Sequence, residues 1–327
     1  MNEDTETPMG PMGAETLAQI RADVRLIMTE EGLTQKDVAR ETGVAYGTLT
    51  PWMTDKYAGN SAAIGQQVSV WLESRKERKR TLAVLPTAPA FVELPTSSSI
   101  METLAFAQAA PDFSVIVGGA GIGKTTSILE YQRRSPNVFV VTAEPCVNSP
   151  NNMLLAIAEE MGILERASNK LSRAIVGKLR GAKALLVLDE AQHLSSAALD
   201  QLRTLHDKAG CGIAVSGNES VFARLQGGVG QGAQFAQMHS RVGKRVVQPK
   251  ARARDVCLII AAWGVDPTSP EAGLLKQIAA KPGALRLLTK VLRLAGMFAA
   301  GADTSLTVKQ IRQAWDQLSS TKLDDAA

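Results

Sequence analysis

The chain has 327 residues, of which 45% are hydrophobic and 21% are charged. This composition is typical of globular proteins, so it excludes wholesale disorder, and the length allows roughly two or three domains. The formal net charge of +4 indicates only a mild bias toward polyanionic partners.

Cysteine usage and hydropathy narrow the cellular setting. The three cysteines are widely spaced and form no C-x-x-C motif, which argues against a zinc site or a disulfide framework. The start of the chain, MNEDTETPMGPMGAE, does not have the apolar segment of a secretory signal, and no segment is long enough for an apolar membrane span. We therefore expect a cytoplasmic protein that has no membrane partner.

The amino-terminal part is predicted to be a flexible tail, residues 1–13, followed by an all-α domain, residues 14–79. Within this domain TQKDVARETGVAYGTLTPW has the spacing of a helix-turn-helix. Thr34 is the predicted N-cap of the first helix, and Gly43 permits the tight turn. Pro51 falls inside the second helix, where it removes a hydrogen bond, so we expect that helix to be short or kinked.

The two helices of this motif are expected to pack through apolar positions and to expose a recognition surface. A helical bundle that serves protein contacts is the alternative, because acidic residues slightly outnumber basic ones over residues 1–80. The predicted packing positions are Val38, Ala39, Val44, Leu49 and Trp52. The predicted DNA-reading positions are Tyr46 and Thr48, with Thr50 as a further candidate.

The remainder of the chain is predicted to hold a linker, an α/β core and a helical lid. The prolines and serines of TLAVLPTAPAFVELPTSSS indicate a linker over residues 80–99. Over 100–250 the short apolar runs FSVIVGG, NVFVVTA, AKALLVLDE, GCGIAVSGN and KRVVQP alternate with helical stretches, which is typical of a parallel sheet buried on both faces. Residues 251–327 show only helical patterns, and the glycine-rich LQGGVGQGAQF at 225–235 is predicted to be a mobile loop.

A phosphate-binding loop is the most specific motif in the chain. GGAGIGKT matches G-x-x-x-x-G-K-[ST] and lies between a predicted strand and a predicted helix. The glycines let backbone N–H groups point at phosphate oxygens, the lysine reaches the β- and γ-phosphates, and the threonine hydroxyl binds Mg²⁺. ATP and Mg²⁺ are therefore the predicted cofactors. The predicted nucleotide-binding residues are Gly118, Gly121, Gly123, Lys124, Thr125, Thr126 and Asp189.

Two adjacent carboxylates end the apolar run ALLVLDE. Asp189 is predicted to hold Mg²⁺ together with Thr125, and Glu190 is predicted to polarise the water that attacks the γ-phosphate. Like charges at the edge of a core repel each other, and a metal ion with a nearby lysine compensates that repulsion.

The order of these motifs resembles that of AAA+ ATPases. The resemblance implies an AAA+ P-loop core, preceded by the helix-turn-helix domain and followed by the lid. It also implies three further site residues: Asn218 as the sensor-1 residue that positions water, Arg241 as an arginine finger that reaches a neighbouring subunit's nucleotide, and Arg286 as a sensor-2 residue in the lid. A finger that acts on a neighbour implies a homo-oligomer.

Basic residues are concentrated in two segments that contain no acid, 166–183 and 241–254. Such segments suit phosphate backbones, although a solvated helix face is the alternative interpretation of each residue. The candidate DNA contacts are Lys170, Arg173, Lys178, Arg180, Lys244 and Arg245.

The stretch VLDEAQHLSSAALDQLRTLHDKAGCGIAVSGNESVFARL is similar to helper ATPases of transposons and of some secretion systems. Together with the domain order, it makes the chain resemble the B transposition proteins of Mu-type phages. The resemblance implies an ATP-dependent, largely sequence-independent protein that forms a ring or filament on double-stranded DNA and presents this target to a transposase. Two alternatives are an ATP-responsive helix-turn-helix transcriptional regulator and a secretion-type ATPase without a DNA partner.

Overall fold

The computed structural model describes residues 13–221 and 241–319. Residues 1–12 of the predicted tail, the glycine-rich segment 225–235 and residues 320–327 of the predicted lid lie outside the described residues, as do the side chains of residues 82–84. The chain divides into two compact units, Met1–Leu85 and Pro86–Ala327.

The first unit is helical in its described part. Its helices are α1 (Ala14–Glu31), α2 (Gln35–Thr42), α3 (Tyr46–Met53) and α4 (Ser61–Val84). Thr34 caps α2 as predicted: its hydroxyl accepts from the N–H of Asp37, whose carboxylate accepts from the N–H of Thr34. Gly43 ends α2 with φ of 74°, a left-handed conformation that suits glycine.

The predicted packing of α2 against α3 is confirmed. All five predicted positions are buried in one apolar cluster with residues of α1 and α4. Helix α3 contains Pro51 and has only 8 residues, as expected from the lost hydrogen bond. Among the predicted DNA-reading positions, Tyr46 is 48% exposed and Thr48 is half-buried.

The prediction of a linker over residues 80–99 is wrong at both ends. Helix α4 continues to Val84, and α5 already begins at Pro95 and runs to Ala109. Proline suits the first position of a helix, where an N–H would have no helical partner, and Ser97 in the same turn accepts a hydrogen bond from the Leu94 N–H at 2.8 Å. Between these two helices, residues 85–94 have neither helix nor strand.

The second unit contains the predicted parallel sheet, which confirms the α/β class. The strands are β1 (Phe113–Gly118), β2 (Val138–Thr142), β3 (Leu185–Asp189), β4 (Gly212–Gly217) and β5 (Val242–Gln248). They are arranged in the order β2-β3-β4-β1-β5, and every neighbouring pair is parallel.

Helices cover both faces of this sheet, which explains the continuous apolar runs. The helices that follow α5 are α6 (Lys124–Arg134), α7 (Pro150–Glu160), α8 (Ser168–Leu179) and α9 (Ser196–Ala209). One face of the strands packs against α7, α8 and α9, and the other face packs against α5 and α6. The central strands β1, β3 and β4 are buried at every position, whereas residues of the edge strand β5 alternate between half-buried and exposed.

The carboxy-terminal helices form a separate apolar cluster within the same unit, as expected for a lid. Leu94 and the half-buried Val92, from the segment before α5, pack into this cluster. The described helices of the lid are α10 (Ala253–Ala262), α11 (Pro270–Ala279), α12 (Ala284–Gly301) and α13 (Val308–Leu318). None of the helices in the described residues is long and apolar enough to cross a membrane.

Candidate nucleotide-binding site

The phosphate loop connects the end of β1 to the start of α6. Gly121 and Gly123 have φ angles of 79° and 96°, which residues other than glycine rarely adopt. The first turn of α6 contains Lys124, Thr125 and Thr126, whose N–H groups have no partner within a helix. These N–H groups and the positive end of the helix dipole make the loop suitable for an anion.

Lys124 lies inside the loop. Its Nζ donates hydrogen bonds to the carbonyl oxygens of Gly118 and Gly119 at 2.8 and 3.0 Å. Burial lowers the pKa of Lys124, the nearby carboxylates of Glu190 and Asp189 raise it, and the Arg286 guanidinium lowers it further. The ammonium group is therefore partly desolvated and lies near the two carboxylates and the arginine that the sequence also assigned to this site.

Asp189 and Thr125 are in direct contact at the carboxyl end of β3. Thr125 Oγ1 donates to Asp189 Oδ2 at 2.6 Å, and the Asp189 residue is 1% exposed. A hydroxyl and a carboxylate are hard oxygen donors, which Mg²⁺ prefers, and a carboxylate this deeply buried needs a compensating positive charge. The donor set therefore fits Mg²⁺.

Glu190 is positioned by an unusual backbone conformation. Its φ is 53°, a left-handed value for a residue that is not glycine, and its N–H donates to Asp189 Oδ1 at 3.0 Å. Such conformations cost about 1–3 kcal/mol and often occur at functional sites. Gln192, in the short 3-10 helix Ala191–His193, donates through Nε2 to Glu190 Oε2.

Asn218 follows β4, the strand adjacent to β3, and is therefore at the same edge of the sheet. Its side-chain oxygen accepts from the N–H of Ser220 at 3.0 Å and from the Ser220 hydroxyl at 2.6 Å. Its backbone N–H donates to Gln192 Oε1 at 3.3 Å.

Arg286, from the lid, lies beside the phosphate loop. A Cβ added to Gly121 would collide with the carbonyl oxygen of Gly283 and would lie 3.2 Å from Cβ of Arg286. The guanidinium also lowers the pKa of Lys124. Core and lid residues that are 165 positions apart in the chain, Gly121 and Arg286, are thus brought together.

Arg241 lies away from these groups, just before β5. Val242 pairs with Phe113 at the start of β1, whereas Gln248 pairs with Gly118 at its end. At about 3.3 Å per residue, five positions separate the two ends of β1 by about 16 Å. The Arg241 guanidinium donates to both carboxylate oxygens of Asp207 at 2.8 and 3.0 Å.

The candidate DNA contacts have different environments. Lys170 and Arg173 are exposed on α8. Lys178 and Arg180 are also exposed, but they donate to the carbonyl oxygens of Met161 and Lys208 at the ends of other helices, so each already has a structural role. The remaining two, Lys244 and Arg245, project from opposite faces of β5; Nζ of Lys244 lies 5.9 Å from the centre of the Phe106 ring.

Sequence reasoning did not identify Gln192 or Asp207, whose side chains contact predicted site residues. Gln192 contacts both Glu190 and Asn218, and Asp207 binds Arg241. For Gln192, the signal was its position two residues after Glu190. For Asp207, the chain offers no local signal, because its partner is 34 residues away.

Comparisons with known proteins agree with this organisation. A family model described as "AAA domain" matches residues 108–225, and a model described as "Mu B transposition protein, C terminal" matches residues 240–318.

Several relatives are similar over most of the chain. The ATP-dependent target DNA activator B proteins of Escherichia phage D108 and Escherichia phage Mu are each 36% identical over 304 residues, which is 92% of this chain and 96% of the relative. A Mu-like prophage DNA transposition protein B from Haemophilus influenzae is 36% identical over 80% of this chain and 91% of its own length.

Solved structures match at lower similarity. A RuvB mutant of Thermotoga maritima has a TM-score of 0.45 at 12% identity, covering 72% of this chain and 73% of that chain. NtrX from Brucella abortus in complex with ATP has a TM-score of 0.44 at 17% identity, covering 84% of this chain and 67% of that chain.

Proposed function

Because this chain belongs to the family of the Mu B transposition protein and is an ATP-dependent activator of DNA transposition, we propose that it assembles on target DNA through ATP that is held between neighbouring subunits. Its AAA+ core is an ATPase. The assembly presents the bound DNA to a transposase, and ATP hydrolysis releases the DNA.

Within one subunit the chain's own residues bind and orient the triphosphate. Lys124 exchanges its two carbonyl partners for phosphate oxygens, and the N–H groups of the first turn of α6 surround the β-phosphate. Thr125 and Asp189 would hold Mg²⁺, which supplies charge neutralisation for the transferred phosphoryl group. Glu190 accepts a proton from the attacking water, and Asn218 and Arg286 contact the γ-phosphate side of the pocket.

The observation that carries the proposal is the separation of Arg241 from its own subunit's phosphate loop. About 16 Å of β1 lies between the two, which is further than an arginine side chain reaches. If Arg241 stabilises a transition state, the nucleotide therefore belongs to another copy of the chain. Contacts of this kind run head to tail, so they generate a ring or a helical filament.

The same reasoning accounts for ATP-dependent binding to DNA. A γ-phosphate that joins Lys124 of one subunit to Arg241 of the next stabilises the interface. Head-to-tail repetition of the subunits then aligns exposed basic side chains, such as those of Lys170 and Arg173, along the DNA. Contacts of this type are with phosphates and do not read sequence. DNA affinity should therefore fall steeply with salt concentration.

The decisive experiment measures binding to linear double-stranded DNA with ATP, with ADP and without nucleotide. Tight binding is expected only with ATP, and Lys124→Ala should abolish ATP binding and tight DNA binding together. Lys290→Ala, which removes an exposed lysine outside both basic segments, is the matched control and should bind DNA normally. Equal coating of DNA without nucleotide would refute the proposal, and electron microscopy of the ATP-bound complex distinguishes a ring from a filament.

A further inference from the structure

Gln192 connects the Glu190 carboxylate to the backbone N–H of Asn218, which directly follow the neighbouring strands β3 and β4. Its Nε2 donates to Glu190 Oε2, and its Oε1 accepts from the N–H of Asn218 at 3.3 Å. The orientation of the amide follows from its partners, because a carboxylate at neutral pH only accepts hydrogen bonds and a backbone N–H only donates them. Both ends of one short side chain are therefore engaged.

The end of β4 is built in a way that leaves room for this side chain. A Cβ added to Gly217 would lie 2.8 Å from Gln192 Oε1 and 2.6 Å from Cγ2 of Val221. Both distances are shorter than real Cβ contacts, so a larger residue at position 217 would displace the glutamine. The glycine thus permits the close approach of Gln192 to the backbone after β4.

The contact matters because it holds the Glu190 side chain. Glu190 follows β3 in a left-handed conformation and is half-buried, so its side chain needs a partner to keep one orientation. A hydrogen bond to Oε2 leaves Oε1 to accept a proton from water. Misplacement of a catalytic group by about 1 Å can reduce a rate about 100-fold.

On the basis of the proposed ATPase mechanism, we infer that Gln192 is a positioning residue for hydrolysis, which fixes the Glu190 carboxylate relative to the Asn218 backbone at the end of β4. It acts on the attacking water only through Glu190. Because Asn218 directly follows β4, the strand next to β3, a shift of the β4 end would be transmitted to the Glu190 carboxylate through this one amide group.

The test uses Gln192→Leu, which retains much of the side-chain volume and removes both hydrogen bonds. We expect kcat for ATP to fall by about 10- to 100-fold while ATP affinity changes by less than about twofold. ATP-dependent assemblies on DNA should consequently dissociate more slowly than those of the wild type. The matched control is Gln201→Leu, whose amide donates to Ser172 at 3.3 Å between α9 and α8; its kcat should be unchanged.

A double-mutant cycle separates positioning from general structural support. In the Glu190→Gln background the further change Gln192→Leu should have no additional effect on kcat, because the group that it positions is already absent. An additive loss, a parallel loss of ATP binding, or wild-type kcat in Gln192→Leu would each overturn the inference. Wild-type kcat in this variant would leave the proposed function intact, whereas nucleotide-independent DNA binding by the unmodified protein would refute the proposed function itself.

Discussion

Replacing Gly121 with alanine tests how closely the phosphate loop and the lid must pack. Gly121 has φ of 79°, and an added Cβ would collide with the backbone oxygen of Gly283 and lie 3.2 Å from Cβ of Arg286. A backbone oxygen cannot rotate away as a side chain can. The variant therefore has to separate the loop from the lid or distort the loop.

The expected size of the effect follows from this geometry. The left-handed conformation costs an alanine about 1–2 kcal/mol, and the free variant can relieve this cost by rearranging the loop. Binding of ATP requires the original loop conformation, so the cost returns in the complex. One or two kcal/mol corresponds to a factor of about 5–30, and we expect ATP affinity to fall at least this much because the collision with Gly283 adds to the strain.

The matched control is Gly162→Ala. Gly162 has φ of 64°, but an added Cβ would meet nothing within 4 Å, so this variant has the conformational cost without a collision. Its melting temperature should fall by about 2–8 °C, and its ATP affinity should not change. Affinities are measured by titration with a fluorescent ATP analogue. Wild-type affinity in Gly121→Ala would refute the close packing of loop and lid.

Three further variants or measurements test other parts of the site. Arg241→Ala should retain ATP affinity, but kcat of the assembled protein should fall about 10³-fold or more, and normal kcat would exclude Arg241 as the finger. The Arg241 guanidinium holds the pKa of Asp207 below its ordinary value, so an NMR titration of the variant should show that this pKa rises. Glu190→Gln should bind ATP and keep the DNA-bound assembly from dissociating, and dissociation faster than that of the wild type would contradict its role as the base. Burial raises the pKa of the Cys211 thiol to about 11, so at pH 8 a thiol reagent should modify the exposed Cys146 and leave Cys211 largely unmodified. For the same reason, the part of the free energy of unfolding that Cys211 contributes should be lost as pH rises from 9.0 toward 11. Rapid modification of both thiols in the folded protein would refute this burial.

Much of the fold was predictable because the signals are local. The five apolar runs correspond to β1–β5. The central strands β1, β3 and β4 are buried at every position and are therefore largely apolar, and the phosphate loop must join a strand to a helix. Capping of α2 by Thr34 depends on a residue only three positions away. The linker prediction failed for a related reason: prolines and serines favour both loops and helix starts, and Pro95 begins a helix.

In the candidate site, too, some features were predictable from local motifs and others were not. Lys124, Thr125, Asp189 and Glu190 were identifiable from motifs, because phosphate and metal chemistry restricts both residue type and spacing. The contact of Thr125 with Asp189 confirms that two of these groups meet across 64 positions of the chain. Nothing in the motifs indicated that Lys178 and Arg180 donate to carbonyl groups at the ends of other helices.

The sequence by itself determined which chemistry the chain performs, because a loop that binds phosphate and a strand that ends in carboxylates are each encoded by a few adjacent residues. The tertiary structure decided which groups act on one another. Gln192 meets Asn218, Gly121 meets Gly283, and Arg241 lies at the opposite end of β1 from its own phosphate loop. These relations depend on strand order and on packing between distant segments, and a short stretch of sequence does not specify either.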